Sequence, residues 1–171
     1  GGNHQAPPFN PNGMTMVLEE RDDLEHDMRY WHGGTVDVRP EAKSPHHVCV
    51  FTPDIEFGRT FEVTTEALPT GRWLYLEFSM ERYEAKAGDS HGAQGVTSVE
   101  HSDGSFSFYD PFHMNPMPGL KDAVWEHIEY RIPVPPLEPG DKLKFYLWNQ
   151  YHDATFLLDD LHMKVFAVNA Y

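Results

Sequence analysis

The sequence predicts an all-β protein, folded as a two-sheet antiparallel β-sandwich of the jelly-roll type. Segments rich in β-branched and aromatic residues, which are typical of strands, recur throughout the chain after Met14. Turn signals such as "LPTG", "KAGDSHG" and "NPMPG" separate these segments, and most of the 14 prolines fall in the breaks. No long run shows a clean helical period. Many short strands at regular spacing favour a sandwich in which two sheets enclose one core.

One domain accounts for most of the chain. The opening stretch "GGNHQAPPFNPNGM" is rich in Gly, Pro and Asn, so we predict a flexible tether over residues 1–14. A single β-sandwich domain is predicted over residues 15–171. Its strands, in order, are predicted in "HHVCVFT", "GRTFEVTTEAL", "RWLYLEFSMERYEA", "QGVTSVEHS", "SFSFYD", "VWEHIEYRIPV", "KLKFYLWN" and "ATFLLDDLHMKVFAV".

Alternation along three of these strands separates an inner from an outer face. The inner face is predicted to hold Leu74, Leu76, Phe78, Met80, Val124, Ile128, Tyr130, Ile132, Leu143, Phe145 and Leu147. The opposite positions combine aromatic rings with charged or polar groups. These outward residues include Tyr75, Glu77, Trp125, Glu129, Arg131, Tyr146 and Trp148.

The composition narrows the class of ligand. With 13 basic and 27 acidic residues, the formal net charge is -14, which repels phosphate backbones and anionic membranes. Nucleic acid is therefore not an expected partner, and no apolar run approaches the roughly 18 residues of a membrane span. The single cysteine, Cys49, lies in an apolar strand and is expected to be an inert buried thiol. The 11 histidines show no helical pairing, so the sequence does not indicate zinc.

The outward rings and charged groups together suit a sugar ligand. Sugars stack their apolar C–H faces on aromatic rings, while carboxylates and guanidinium groups bind the hydroxyls. We therefore predict a poly- or oligosaccharide-binding surface formed by Tyr75, Glu77, Trp125, Glu129, Arg131, Tyr146 and Trp148. The alternative is that these rings cover sheet edges or pack under loops, as large aromatic side chains often do.

An acid pair interrupts the last strand. Asp159 and Asp160 stand between Leu158 and Leu161, although aspartate is depleted in strands and a buried carboxylate must be neutralised. Unless a bulge intervenes, one of the two faces inward or towards a sheet edge. A cation or an arginine could neutralise it, and a solvated position at the strand end is the alternative.

Several short motifs carry a family resemblance. "KFYLWNQYHDATFLLDDLHMKVF", the opening "DDLEHDMRYW" and the following "EAKSPHHVCV" and "PDIEFGRTFEV" resemble carbohydrate-binding modules with the galactose-binding-like jelly-roll fold. The resemblance spans about residues 22 to 168. It implies a noncatalytic, polysaccharide-binding domain in an extracellular, periplasmic or cell-surface protein.

The resemblance also implies a structural calcium that ties the first strand to the last. Its oxygens would come from Glu25, from the turn around Lys43 to His46, and from Asp159, with Asp160 as the second candidate. Calcium takes about six to eight oxygen ligands. Pro45 departs from the family, which usually has glycine there, so the turn must differ if that glycine has a positive φ.

Two other functions stay open from the sequence. One is a structural or protein-interaction module within a larger surface protein, because a fold does not fix a function. The other is a jelly-roll glycoside hydrolase or polysaccharide lyase, for which Glu77 and Glu129 are the candidate carboxylate pair.

Overall fold

The computed structural model describes residues 5–42, 46–114 and 121–169. These residues form two antiparallel sheets. After a 3-10 turn at Pro11–Gly13, the strands are β1 (Met14–Asp22), β2 (Trp31–His32), β3 (Val36–Val38), β4 (His47–Phe51), β5 (Phe57–Thr64), β6 (Leu74–Glu84), β7 (Gln94–Glu100), β8 (Phe106–His113), β9 (Val124–Val134), β10 (Lys142–Trp148) and β11 (Phe156–Val168). The six-stranded sheet has the order β3-β4-β11-β6-β9, and β1 also pairs with β11. The five-stranded sheet has the order β2-β5-β10-β7-β8. The predicted all-β sandwich is confirmed.

The core lies between the sheets, where alternation placed it. The inward side chains of β6, from Leu74 to Met80, are fully buried, and so are Leu143 and Phe145 on β10. On β9, Ile128 and Ile132 are buried, and Tyr130 packs partly buried against the core. Each large apolar side chain buried in this way contributes about 1.5–3 kcal/mol to folding.

Aromatic contacts join the two sheets across the core. Phe78 of the six-stranded sheet meets Phe145 of the five-stranded sheet with ring centroids 4.7 Å apart. Trp31, on the short strand β2, lies 5.7 Å from Phe78 and 5.3 Å from Phe61. Such tilted aromatic pairs add about 0.5–1.5 kcal/mol each beyond burial. These contacts fix which face of β6 and of β10 points to the core.

A β-bulge explains the acid pair in β11. The pairing of β11 with β6 shifts between Asp159 and His162, and Asp160 has φ +50°. Leu158 and Leu161 both stay buried in the core on either side of the pair. Because the extra residue absorbs the change of register, Asp159 is fully buried while Asp160 is exposed. A short polar residue tolerates positive φ better than most, which suits aspartate to this position.

A buried amide holds the end of β10 against neighbouring loops. Asn149 is fully buried, and its Nδ2 donates to the carbonyls of Thr52 at 3.0 Å, Ile55 at 3.2 Å and Ala154 at 3.1 Å. Its Oδ1 accepts from the Ala154 backbone N–H at 3.1 Å. The Asn149 side chain therefore joins the connection between β4 and β5 to the connection between β10 and β11.

None of the described residues forms a helix long and apolar enough to cross a membrane. The boundary between a tether over residues 1–14 and the domain stays a prediction. Of that segment, the structure describes residues 5–14, and Met14 already pairs with Val168 at the start of β1.

We expect Asn149→Ala to lower the free energy of unfolding by about 3 kcal/mol, because it leaves buried carbonyl and N–H groups without their partner. Chemical denaturation would measure the change. Gln150→Ala, at the adjacent half-buried position, is the control and should stay within about 0.5 kcal/mol of the parent protein. Equal effects of the two substitutions would contradict the structural role of Asn149.

Candidate functional site

The seven predicted ligand residues lie on two opposite outer faces. Tyr75 and Glu77 on β6 and Trp125, Glu129 and Arg131 on β9 belong to the six-stranded sheet. The remaining two, Tyr146 and Trp148 on β10, belong to the five-stranded sheet. The structure therefore brings them together as two groups, separated by the core.

The outer face of the five-stranded sheet carries a group of partly exposed rings. Phe57 on β5 pairs with Trp148 on β10, and their rings lie nearly parallel, with centroids 6.2 Å apart and an interplanar angle of 9°. Tyr146 meets Phe57 edge-on at 5.9 Å. Phe57 is 51% exposed, while Tyr146 and Trp148 are half-buried. We call Phe57, Tyr109, Tyr146 and Trp148 the aromatic face.

Tyr109 extends this face across the sheet. It lies on β8 and is 49% exposed. Burial, followed by a hydrogen bond with Tyr109, raises the pKa of Tyr146 to about 12, so the Tyr146 phenol keeps its proton at neutral pH. Val96 and Ser98 lie on β7 between these strands, and both are buried even though they alternate with core positions. Side chains from the flanking strands must therefore cover β7 on its outer side.

Charged groups border the aromatic face. The indole N–H of Trp148 donates to Glu56 Oε1 at 3.2 Å, which orients the ring. Further along β5 and β10, Glu62 lies 3.5 Å from the Lys144 ammonium and 3.7 Å from the His32 imidazole. These side chains are partly exposed and offer both donors and acceptors beside the rings. Flat apolar surfaces with a few fixed polar groups are typical of ligand sites.

The two predicted aromatic residues of the six-stranded face are covered. Tyr75 is only 7% exposed, its hydroxyl donates to the Pro7 carbonyl, and Phe9 packs edge-on against it at 5.4 Å. Trp125 donates to the Glu41 carbonyl at 2.8 Å. It also packs on a small apolar cluster formed by Val48, Val50 and Leu157. Packing therefore covers Tyr75 and leaves Trp125 half-buried, with its indole N–H already bonded.

The six-stranded face instead carries a charged cleft of about 770 Å³. Ion pairs line it: Arg131 Nε donates to Glu77 at 3.0 Å, and His127 lies 2.9 Å from Glu129. The cleft is lined by Arg21, Asp22, Asp23, His26, Met28, Glu77, Ser79, Glu81, His127, Glu129, Asp160, Leu161, His162 and Lys164. None of these side chains is aromatic apart from the imidazoles.

The electrostatics of this cleft do not suit acid–base catalysis by the predicted carboxylate pair. A hydrogen bond from His127 lowers the pKa of Glu129. Glu77 accepts from Arg131 and lies 3.9 Å from the Lys164 ammonium. A glycosidase needs one carboxyl group with a raised pKa to protonate the leaving oxygen. Here Glu77 is paired with Arg131 and Lys164, and Glu129 accepts a hydrogen bond from His127.

The predicted calcium residues are only partly described. Lys43 lies outside the described residues, as do Ser44 and Pro45. Glu25 accepts from His47 through both oxygens, from the backbone N–H at 2.8 Å and from Nδ1 at 2.6 Å. The hydrogen bond from the His47 ring is the largest cause of the lowered pKa of Glu25.

The other calcium candidates lie in contrasting surroundings. His46 is exposed, and its carbonyl accepts from the Arg39 N–H at 3.2 Å. Asp159 is buried and its Oδ1 accepts from the backbone N–H of Asp160 at 2.8 Å. Asp160 is exposed on the bulge. These placements leave the calcium site a prediction.

Sequence reasoning missed Phe57, Tyr109, Glu56 and Glu62. Phe57 stands in "TPDIEFG", which resembles a turn, although the structure begins β5 at this residue. Tyr109 stands in "SFSFYD", where aromatic residues occur on both faces of the strand. Aromatic residues on both faces of one strand could have indicated this surface, because the outward rings do not pack in the core.

Solved structures of low sequence identity share this architecture. The xylan-binding CBM22-1 domain of Paenibacillus barcinonensis Xyn10C is 19% identical with a TM-score of 0.50, over 92% of this chain and 97% of that domain. The tandem CBM22-1–CBM22-2 structure of the same protein is 16% identical with a TM-score of 0.53, over 91% of this chain and 47% of that one. No protein-family model and no curated protein sequence matches the chain. The chain therefore shares the jelly-roll β-sandwich fold of carbohydrate-binding modules, as its motifs predicted.

Proposed function

We propose that this chain is a noncatalytic carbohydrate-binding module that binds a polysaccharide on its aromatic face. The observation that carries the proposal is the group of partly exposed rings at Phe57, Tyr146 and Trp148, two of them nearly parallel. Parallel rings in one surface can stack on successive sugar units of a chain. Glu56, Glu62 and Lys144 lie beside the rings and supply hydrogen-bonding groups for hydroxyls.

The comparisons support the same function and suggest the first ligand to test. The similar domain of Xyn10C is xylan-binding. Xylan has a neutral backbone, which suits a protein with a formal net charge of -14. We infer that the ligand is a neutral β-linked polysaccharide and that xylan is the appropriate first probe.

We also propose that the protein works outside the cytoplasm, secreted or displayed on a cell surface, and possesses neighbouring domains in a larger chain. Polysaccharides of this kind are extracellular polymers, so a module that binds them must reach them there. A noncatalytic module acts by holding a partner domain close to the polymer, which raises the effective concentration of that partner.

Substitution of a ring in the aromatic face should weaken polysaccharide binding. Trp148→Ala should weaken binding to xylan about 30-fold, and Tyr146→Ala similarly, because a central aromatic anchor contributes about 2 kcal/mol or more to binding. Affinity electrophoresis in gels that contain xylan, mixed-linkage glucan or galactan would measure the retardation and identify the preferred polymer.

The matched control is Trp125→Ala, which removes a partly buried tryptophan from the opposite sheet. It should leave retardation unchanged in protein that is still folded by circular dichroism. Loss of binding in Trp125→Ala but not in Trp148→Ala would mean that the binding site lies on the six-stranded sheet instead. Absence of retardation by every neutral polysaccharide would contradict the proposed function itself.

We propose further that calcium stabilises the fold through Glu25 and Asp159. A lowered pKa keeps Glu25 charged, and Asp159 places a second carboxylate in the interior of the same sandwich. Together with backbone carbonyls, these carboxylates are the hard oxygen ligands that calcium prefers.

Calcium added to chelator-treated protein should raise the melting temperature, and Asp159→Asn should abolish the increase. Differential scanning calorimetry measures both, and magnesium serves as the comparison ion because its ligand geometry is stricter. An unchanged melting temperature on calcium addition would rule out this site while leaving sugar binding open.

A further inference from the structure

A group of potential metal ligands lies at one end of the five-stranded sheet, away from both faces described above. His101 directly follows β7, and Glu138 and Asp141 lie in the connection that leads into β10. Among the described residues, these three form the one group of His, Cys, Asp or Glu side chains whose ligand atoms all lie within 4.8 Å of one another. We call them the end cluster.

The spacing of the end cluster fits a small divalent ion. His101 Nδ1 lies 2.6 Å from Asp141 Oδ1 and 3.8 Å from Glu138 Oε2. Tetrahedral coordination with bonds of about 2.0–2.1 Å puts ligand atoms about 3.3 Å apart. Of the two observed distances, one is shorter and the other longer than that value, each by less than about 1 Å.

The backbone holds these ligands in place before any ion binds. Asp141 is only 2% exposed, and its Oδ2 accepts from the Glu138 backbone N–H at 2.8 Å, which leaves Oδ1 directed at His101. The Asp141 carbonyl accepts from the Thr65 N–H at 3.2 Å. The His101 backbone N–H donates to the Ser105 carbonyl at 2.8 Å and closes the turn that presents the imidazole. Such outer hydrogen bonds orient ligands and raise metal affinity.

We propose that His101, Glu138 and Asp141 bind a transition-metal ion of the zinc type, which fastens the β7–β8 turn to the β9–β10 connection. One imidazole and two carboxylates suit zinc better than calcium, which takes oxygen ligands in larger number. Asp141 precedes β10 and Trp148 ends it, so the strand length puts the ion about 20 Å from Trp148. The role we propose for the metal is structural.

A substitution of Glu138 can distinguish a metal site from a simple hydrogen bond between His101 and Asp141. Its side chain is 74% exposed, and an exposed ion pair of this kind contributes little to stability on its own. The metal-free fold of Glu138→Gln should therefore match the parent protein. As a zinc ligand, however, Glu138 supplies one of three protein bonds.

The experiment is a calorimetric titration of chelator-treated protein with Zn²⁺, followed by thermal unfolding with and without the ion. We expect one Zn²⁺ per chain and a higher melting temperature in its presence. Glu138→Gln should weaken zinc binding at least about tenfold, and His101→Ala should abolish it. Ca²⁺ should not displace the zinc.

The matched control is Glu19→Gln, which alters another glutamate beside a histidine, since Glu19 lies 2.6 Å from His162 Nε2. It should leave zinc affinity unchanged. Zinc affinity that is equal in the parent and in Glu138→Gln, or no zinc binding at all, would overturn the proposal. Because xylan retardation does not depend on the end cluster, either result is distinguishable from a failure of the proposed function.

Discussion

The contact between Phe78 and Phe145 fixes the orientation of the outward residues of β6 and β10. It joins β6 of one sheet to β10 of the other at 4.7 Å across the core. Because side chains alternate along a strand, an inward Phe145 requires an outward Tyr146 and Lys144, and an inward Phe78 requires an outward Glu77 and Ser79. A register slip of one residue on β10 would turn Tyr146 and Trp148 towards the core.

The same alternation explains what the sequence could predict. The inward positions of β6, β9 and β10 follow from a period of two and from the need to bury leucine and phenylalanine. Alternation, however, says nothing about which strands are neighbours. Tyr75 and Tyr146 have equivalent patterns, yet one lies beside β11 and the other beside β5, because the chain crosses between sheets. Sequence reasoning therefore found outward rings without showing that they belong to opposite faces.

Burial of an outward ring depends on contacts that are distant in the sequence. Tyr75 is closed off by Phe9, and Trp125 by the cluster around Val48 and Leu157. Phe57 is 51% exposed, and Trp148 is half-buried against it. The difference arises from tertiary packing, which local composition does not encode. The acid pair was easier to interpret from the sequence. Two aspartates within a strand predicted an irregularity there, and the structure has a bulge with a positive φ at Asp160.

The two outer faces of the domain carry different kinds of side chain. The six-stranded face pairs Glu77 and Glu129 with arginine, lysine and histidine side chains. The aromatic face keeps exposed ring surface bordered by Glu56, Glu62 and Lys144, and exposed apolar surface is unfavourable in water unless a ligand covers it. A neutral sugar chain covers such rings without requiring any ion pair to break. Because the overall negative charge also repels anionic polymers, ring stacking on a neutral glycan is the binding mode that this distribution of side chains favours.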